Sequence, residues 1–145
     1  MDRCLVLSSW ANKGAAMLDE PSAVLLVDKM IESLHQANLD GFLAALANEI
    51  VIVDDVPPFR STGMAEAETW AKVVMGAGKR LNAYLRMGAP KRFHVEDHKA
   101  YVVAQAFLGI TTAGGSAADR GLLTLTLREV ENTWLIDTIV WSEPN

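Results

Sequence analysis

The sequence predicts an α+β domain, a cone-shaped curved antiparallel (mixed) sheet with three helices packed on it. Three observations lead there. Apolar residues recur at the helical period over residues 21–38 and again over 64–79. From residue 82 the period drops to two, in long runs separated by short turns. Between the helical stretches, Ile50-Val51-Ile52-Val53 runs into Asp54-Asp55 and is stopped by Pro57-Pro58. Strands gathered after helices point to α+β rather than an alternating α/β sheet.

The totals bound the function. A chain of 145 residues is expected to form one domain, and 50% hydrophobic with 21% charged residues is a globular composition. A net charge of −5 argues against nucleic acid or an anionic membrane as partner, since both require concentrated Lys and Arg. No run approaches the roughly 20 apolar residues of a membrane span. The lone Cys4 permits no internal disulfide and fits a reducing cytoplasm. Residues 1–18 lack a signal-peptide core, because the apolar run is only Cys4 to Leu7. They read as a weakly structured arm, with the domain spanning 19–145.

The elements follow in order. Pro21, after Asp19 and Glu20, suits the first turn of a helix. Val24, Val27, Ile31 and Leu34 then make its apolar face, and it should end near Asn38. Asp40 is expected to cap a short second helix carrying Phe42, Leu43 and Leu46. The central strand covers about residues 49–55, and its four successive apolar residues Ile50–Val53 should be buried on both faces. Ser61-Thr62-Gly63 offers cap chemistry for a third helix over 64–79, with Trp70, Val73, Val74 and Ala77 facing the core. Tyr84 to Met87 reads as a strand ending before Gly88-Ala89-Pro90, and residues 91–96 as another. Asp97-His98 turns into a strand over 99–112, and Gly114-Gly115-Ser116 into one over 119–131. Glu131-Asn132-Thr133 turns into the last strand, 134–142. A curved sheet with one face under helices leaves a cavity whose mouth is a usual ligand site.

Asp54 and Asp55 are the candidate catalytic residues. A carboxylate against low-dielectric surroundings holds its proton more tightly, which suits it to proton transfer. Strand alternation should bring one of the two into the cavity. Asp before Pro-Pro is also good turn chemistry. Phe59, Trp70, Tyr84, Tyr101 and Trp141 are the aromatic candidates for the pocket wall, with core or interface packing as the alternative. Gln105, Thr124 and Thr126 are polar positions in apolar strands, able to place donors in the cavity or to suit an exposed face. His94, Glu96, Asp97 and His98 do not converge as zinc ligands must, because they straddle a turn and alternate along a strand. Gly76-Ala77-Gly78-Lys79-Arg80 lacks the first Gly and the final Ser or Thr of a phosphate-binding loop. No Gly-x-Ser-x-Gly elbow supports a serine nucleophile.

Several of these segments together resemble the SnoaL-like, ketosteroid isomerase-like branch of the nuclear transport factor 2-like superfamily. The segments are Asn38-Leu39-Asp40-Gly41-Phe42, Leu46-Ala47-Asn48-Glu49 before Ile50–Asp54, Pro57-Pro58-Phe59 with Gly63, His98 to Val103, Trp134-Leu135-Ile136, and Trp141-Ser142-Glu143. The likeness covers about residues 20–143. It implies the cone fold, a homodimer through the outer face of the sheet, and a pocket for a small apolar or amphipathic molecule. It also implies cofactor-free proton transfer next to a carbonyl, with Asp54 at the position of the base. The tyrosine and protonated aspartate that hold the oxyanion in ketosteroid isomerases fall at about Met30 and near Thr124 or Thr126. The base is therefore kept in type and the acid pair is not, which argues against steroid isomerisation. Two readings follow: an isomerase, dehydratase or cyclase using an Asp base, or a non-catalytic ligand-binding or dimerisation module of the same fold.

Overall fold

The computed structural model of the protein describes residues 17–143. Helices α1 (Glu20–His35) and α2 (Leu39–Ala44) precede strand β1 (Leu46–Val53), the short β2 (Arg60–Thr62) and helix α3 (Gly63–Leu81). Four long strands follow: β3 (Ala83–Glu96), β4 (Lys99–Thr112), β5 (Gly115–Val130) and β6 (Thr133–Ser142). They form one curved six-stranded sheet in the order β2-β1-β6-β5-β4-β3. Only β1 and β6 run parallel. The end strands β2 and β3 do not pair with each other, so the cone is open rather than a closed barrel.

Local chemistry sets the helix ends. Asp19 caps α1 by accepting from the Ser22 N–H at 2.9 Å, and bonding to Ser22 holds its carboxyl below the usual range. Asn38, rather than the expected Asp40, caps α2: its Oδ1 accepts from Gly41 N–H at 3.0 Å, while Asp40 sits in the first turn. At the start of α3 the Glu66 carboxylate accepts from the Thr62 N–H, which is half of a capping box. Asn82 closes α3 in the left-handed region at φ 48°, a conformation Asn tolerates.

The inner face of the sheet and the three helices share one core. Leu123, Leu125 and Leu127 of β5 meet Ala100, Val102, Ala104 and Ala106 of β4, with Val27, Met30, Ile31 and Phe42 above them. On α3 the buried residues are Ala67 and Ala71, flanked by half-buried Trp70 and Val74; Val73, expected in the core, is 63% exposed. The small alanines let the helix lie close, and Val73 falls on the opposite side of the turn. Leu18, expected to belong to a weakly structured arm, is buried in the core; the rest of that arm, up to residue 16, lies outside the described residues.

Two further departures have a physical cause. The break expected at Gly88-Ala89-Pro90 is instead a pair of irregularities inside one continuous β3, between Met87 and Pro90 and between Pro90 and Arg92. An edge strand tolerates Pro90, and such bulges bend the sheet. Strand β1 is not fully buried on both faces: Ile50 and Ile52 are buried, whereas the alternate Val51 and Val53 are only half-buried. Among the described residues no helix is long and apolar enough to cross a membrane.

Candidate functional site

Strand β1 ends at Val53, and the chain reverses at once into β2. The Asp54 N–H donates to the Phe59 carbonyl at 3.1 Å, and the Phe59 N–H to Val56 O at 2.8 Å across a cis Pro57-Pro58 bond. Phe59 takes φ 71° and pairs the returning Arg60 with Val53. This tight reversal turns the chain out of the strand, so strand alternation no longer governs Asp54 and Asp55. Both line the same cavity, Asp54 half buried and Asp55 exposed, where one of the two was expected.

The cavity has a volume of about 800 Å³ and lies between the inner face of the sheet and helices α1 and α3. Its middle is apolar, walled by Met30, Ile52, Met75, Leu85, Leu123 and Ile139. Its polar groups gather in two places. At one end the Trp70 indole N–H donates to Asp54 Oδ2 at 2.9 Å, and the Val56 N–H to Asp54 Oδ1 at 3.3 Å. Each carboxylate oxygen thus accepts one protein donor and keeps a lone pair for a ligand. Trp70 in turn stacks on the fully buried Phe42, ring centroids 5.8 Å apart.

Trp141 completes this end. Parallel pairing sets Ile52 against Ile139 and Val53 against Val140, and Trp141, the next residue of β6, lies on the same cavity wall as Asp54. The Trp141 ring lies across Gly121 of β5, where a Cβ would fall 2.5 Å from the indole. Only glycine leaves room for the ring against the sheet.

At the other end His35, Gln36, Lys79 and Asn82 come from the last turns of α1 and α3. The Leu85 N–H, on the edge strand β3, donates to His35 Nε2 at 2.8 Å and ties α1 to the sheet there.

Of the residues marked out in the sequence, Asp54, Asp55, Trp70, Tyr84 and Trp141 meet on the cavity wall. Tyr84 is half exposed at the rim, its ring packed over Gly109. Phe59 is 55% exposed beyond the reversal and is not on that wall. Tyr101, Gln105, Thr124 and Thr126 lie on the outer face, because Val102, Ala104, Leu123, Leu125 and Leu127 take the alternate, buried positions. Thr126 donates instead to Asp137 across that face. The oxyanion positions are apolar inside the cone: Met30 lines the cavity, and the inward residue beside Thr124 is Leu123. His94 pairs with Glu96 at 3.4 Å and His98 with Glu129 at 2.8 Å, two separate contacts. Among the described residues no three His, Cys, Asp or Glu side chains group as metal ligands would. His35, Lys79 and Asn82 were not foreseen, since nothing local marks a helix C-terminus as a cavity rim.

The chain is similar in fold to many solved structures. An NTF2-like protein from Pseudomonas putida KT2440 superposes with a TM-score of 0.74 at 16% identity, covering 86% of each chain. An NTF2-like protein with a cystatin-like fold from Novosphingobium aromaticivorans gives 0.77 at 11% identity, over 88% of this chain and 82% of that one. A putative calcium/calmodulin dependent protein kinase II association domain from Xanthomonas campestris gives 0.71 at 15% identity, over 94% and 98%. No curated protein matches by sequence. The family model of the SnoaL-like domain matches residues 25–145, nearly the whole span of the cone, and the chain belongs to that family, within the NTF2-like superfamily.

Proposed function

We propose that the cavity receives a small apolar or amphipathic molecule bearing a carbonyl, and that Asp54 moves a proton at the carbon next to that carbonyl. The observation that supports this reading is the Asp54 carboxylate, half buried at the end of an apolar cavity and oriented through both oxygens by Trp70 and the Val56 N–H. A base held this way needs no rearrangement before it takes a proton. The Trp141 indole, on the same cavity wall as Asp54, is the donor assigned to the carbonyl oxygen. Isomerisation, dehydration and aldol-type cyclisation all begin with such a proton transfer.

The test is deuterium exchange. Small cyclic and linear ketones incubated with the protein in D2O should gain deuterium next to the carbonyl faster than in buffer, followed by proton NMR. A ketone that raises the melting temperature yet exchanges no faster than in buffer would favour the second reading, a binding module. Met30 and Leu123, apolar where a strong oxyanion pair would stand, support that alternative.

A homodimer belongs to the same proposal. The outer sheet face carries half-buried Val103, Phe107, Leu122 and Val140, and the three helices of the described residues pack on the other face. Light scattering should give twice the chain mass of 15.8 kDa, and a Phe107→Glu substitution should reduce it to one.

A further inference from the structure

We propose that the cavity takes an elongated amphipathic anion, a carboxylate of medium acyl-chain length, in one orientation, with its head at Lys79 and its tail reaching Trp70 and Trp141. This rests on reading the cavity as a ligand site and adds the class and direction of the ligand.

Charge is segregated along the cavity. Both carboxylates on its wall, Asp54 and Asp55, lie at the end of β1. The one lysine or arginine on the wall, among the described residues, is Lys79 in the last turn of α3. Helix α3 runs between these points, with Trp70 bonded to Asp54 and Lys79 nine residues further on, about 13 Å of helix rise. Between them the wall is made of Val74, Met75, Ala77 and Gly78 on α3, facing Leu108 and Leu123 of the sheet. An anion placed at the β1 end would meet two carboxylates on the wall, whereas at the α3 end it meets an ammonium and the Asn82 amide. The nearby Glu32 carboxylate lies off the wall and is engaged by Gln36 Nε2 at 2.9 Å and His35 Nδ1 at 3.5 Å. The two helix C-termini at this rim work against an anion through their open carbonyls. That opposition is reduced here, because the Gln36 N–H closes onto Glu32 O and Leu34 O, the Asn82 N–H onto Lys79 O, and Arg80 adds a second cation to the last turn. The apolar middle then holds an acyl chain, and Asp54 meets the ligand about 13 Å from its head.

The experiment compares decanoate, methyl decanoate and decylamine at neutral pH, with binding followed by quenching of tryptophan fluorescence, in the wild type and in Lys79→Met. Wild type should bind decanoate about fivefold more tightly than its methyl ester, the scale of one exposed ion pair. Lys79→Met should erase that difference and leave the ester's affinity unchanged. Equal binding of acid and ester by the wild type, an advantage of the acid that survives in Lys79→Met, or tighter binding of decylamine would each overturn the head-group assignment while leaving a ligand site in place. If none of the three binds, the assignment falls together with the reading of the cavity as a ligand site.

Discussion

Asp54→Asn should lower the rate of deuterium exchange into a bound ketone by at least about a hundredfold, the contribution of a positioned general base, with ligand affinity changed by no more than about threefold. Asn keeps the size of the side chain but cannot take a proton. It also has one acceptor where Asp has two, and both Asp54 oxygens are engaged, Oδ2 by the Trp70 indole and Oδ1 by the Val56 N–H. One of those donors must then face an NH2 group. The variant should therefore lose about 1 kcal/mol of stability as well, visible as a lower urea midpoint. Asp55→Asn is the matching control. Asp55 is exposed on the same wall, so its loss should change exchange by less than about threefold if Asp54 is the base. Equal exchange rates for wild type and Asp54→Asn would rule out the assigned role. Equal losses in both variants would mean that the pair acts as a unit.

Much of the architecture was legible because the patterns behind it are local. The strand over 99–112 stands where alternating residues place it, and the Asp97-His98 turn is real, with Asp97 at φ 55°. Helix α1 buries Val27 and Ile31, which its 3.6-residue pattern marks. What could not be read depends on distant pairing. Strand β2 is three residues long and exists only because the Pro57-Pro58 reversal lays it against β1. The bond from Trp70 to Asp54 joins a helix to a strand end sixteen residues away, and no sequence period reports it. Trp141 shares the cavity wall with Asp54 because β6 pairs in parallel with β1, although the two residues are nearly ninety positions apart in the chain. The threonines failed as cavity donors for the opposite reason: the alternation of β5 was visible, but which of its faces met the helices was not. Leucines at 123, 125 and 127 fill the inner face, and that decides it.

Phe42→Ala should be the most damaging single substitution in the domain, at about 3–5 kcal/mol, from the loss of a fully buried aromatic ring and the cavity it leaves. Against a typical total of about 5–15 kcal/mol, that brings the domain close to unfolding at moderate temperature. The reason lies in the position of the ring. Helix α2 has six residues and presents Phe42 to Trp70 on α3 at an interplanar angle of 27°. Phe42 is fully buried and is not on the cavity wall. It supports Trp70 from behind, and Trp70 orients Asp54. Phe42→Leu separates support from stability, because it keeps an apolar side chain and leaves a smaller void. The folded Leu variant should show faster solvent exchange of the Trp70 indole N–H in NMR, together with about a tenfold lower rate of deuterium exchange into the ketone, since small misplacements of a catalytic group are costly. A folded Phe42→Leu protein with wild-type activity would reduce Phe42 to a core residue. A loss of activity with the ring gone and the cavity untouched would mean that the site extends, through Trp70, into the packing of α2 on α3.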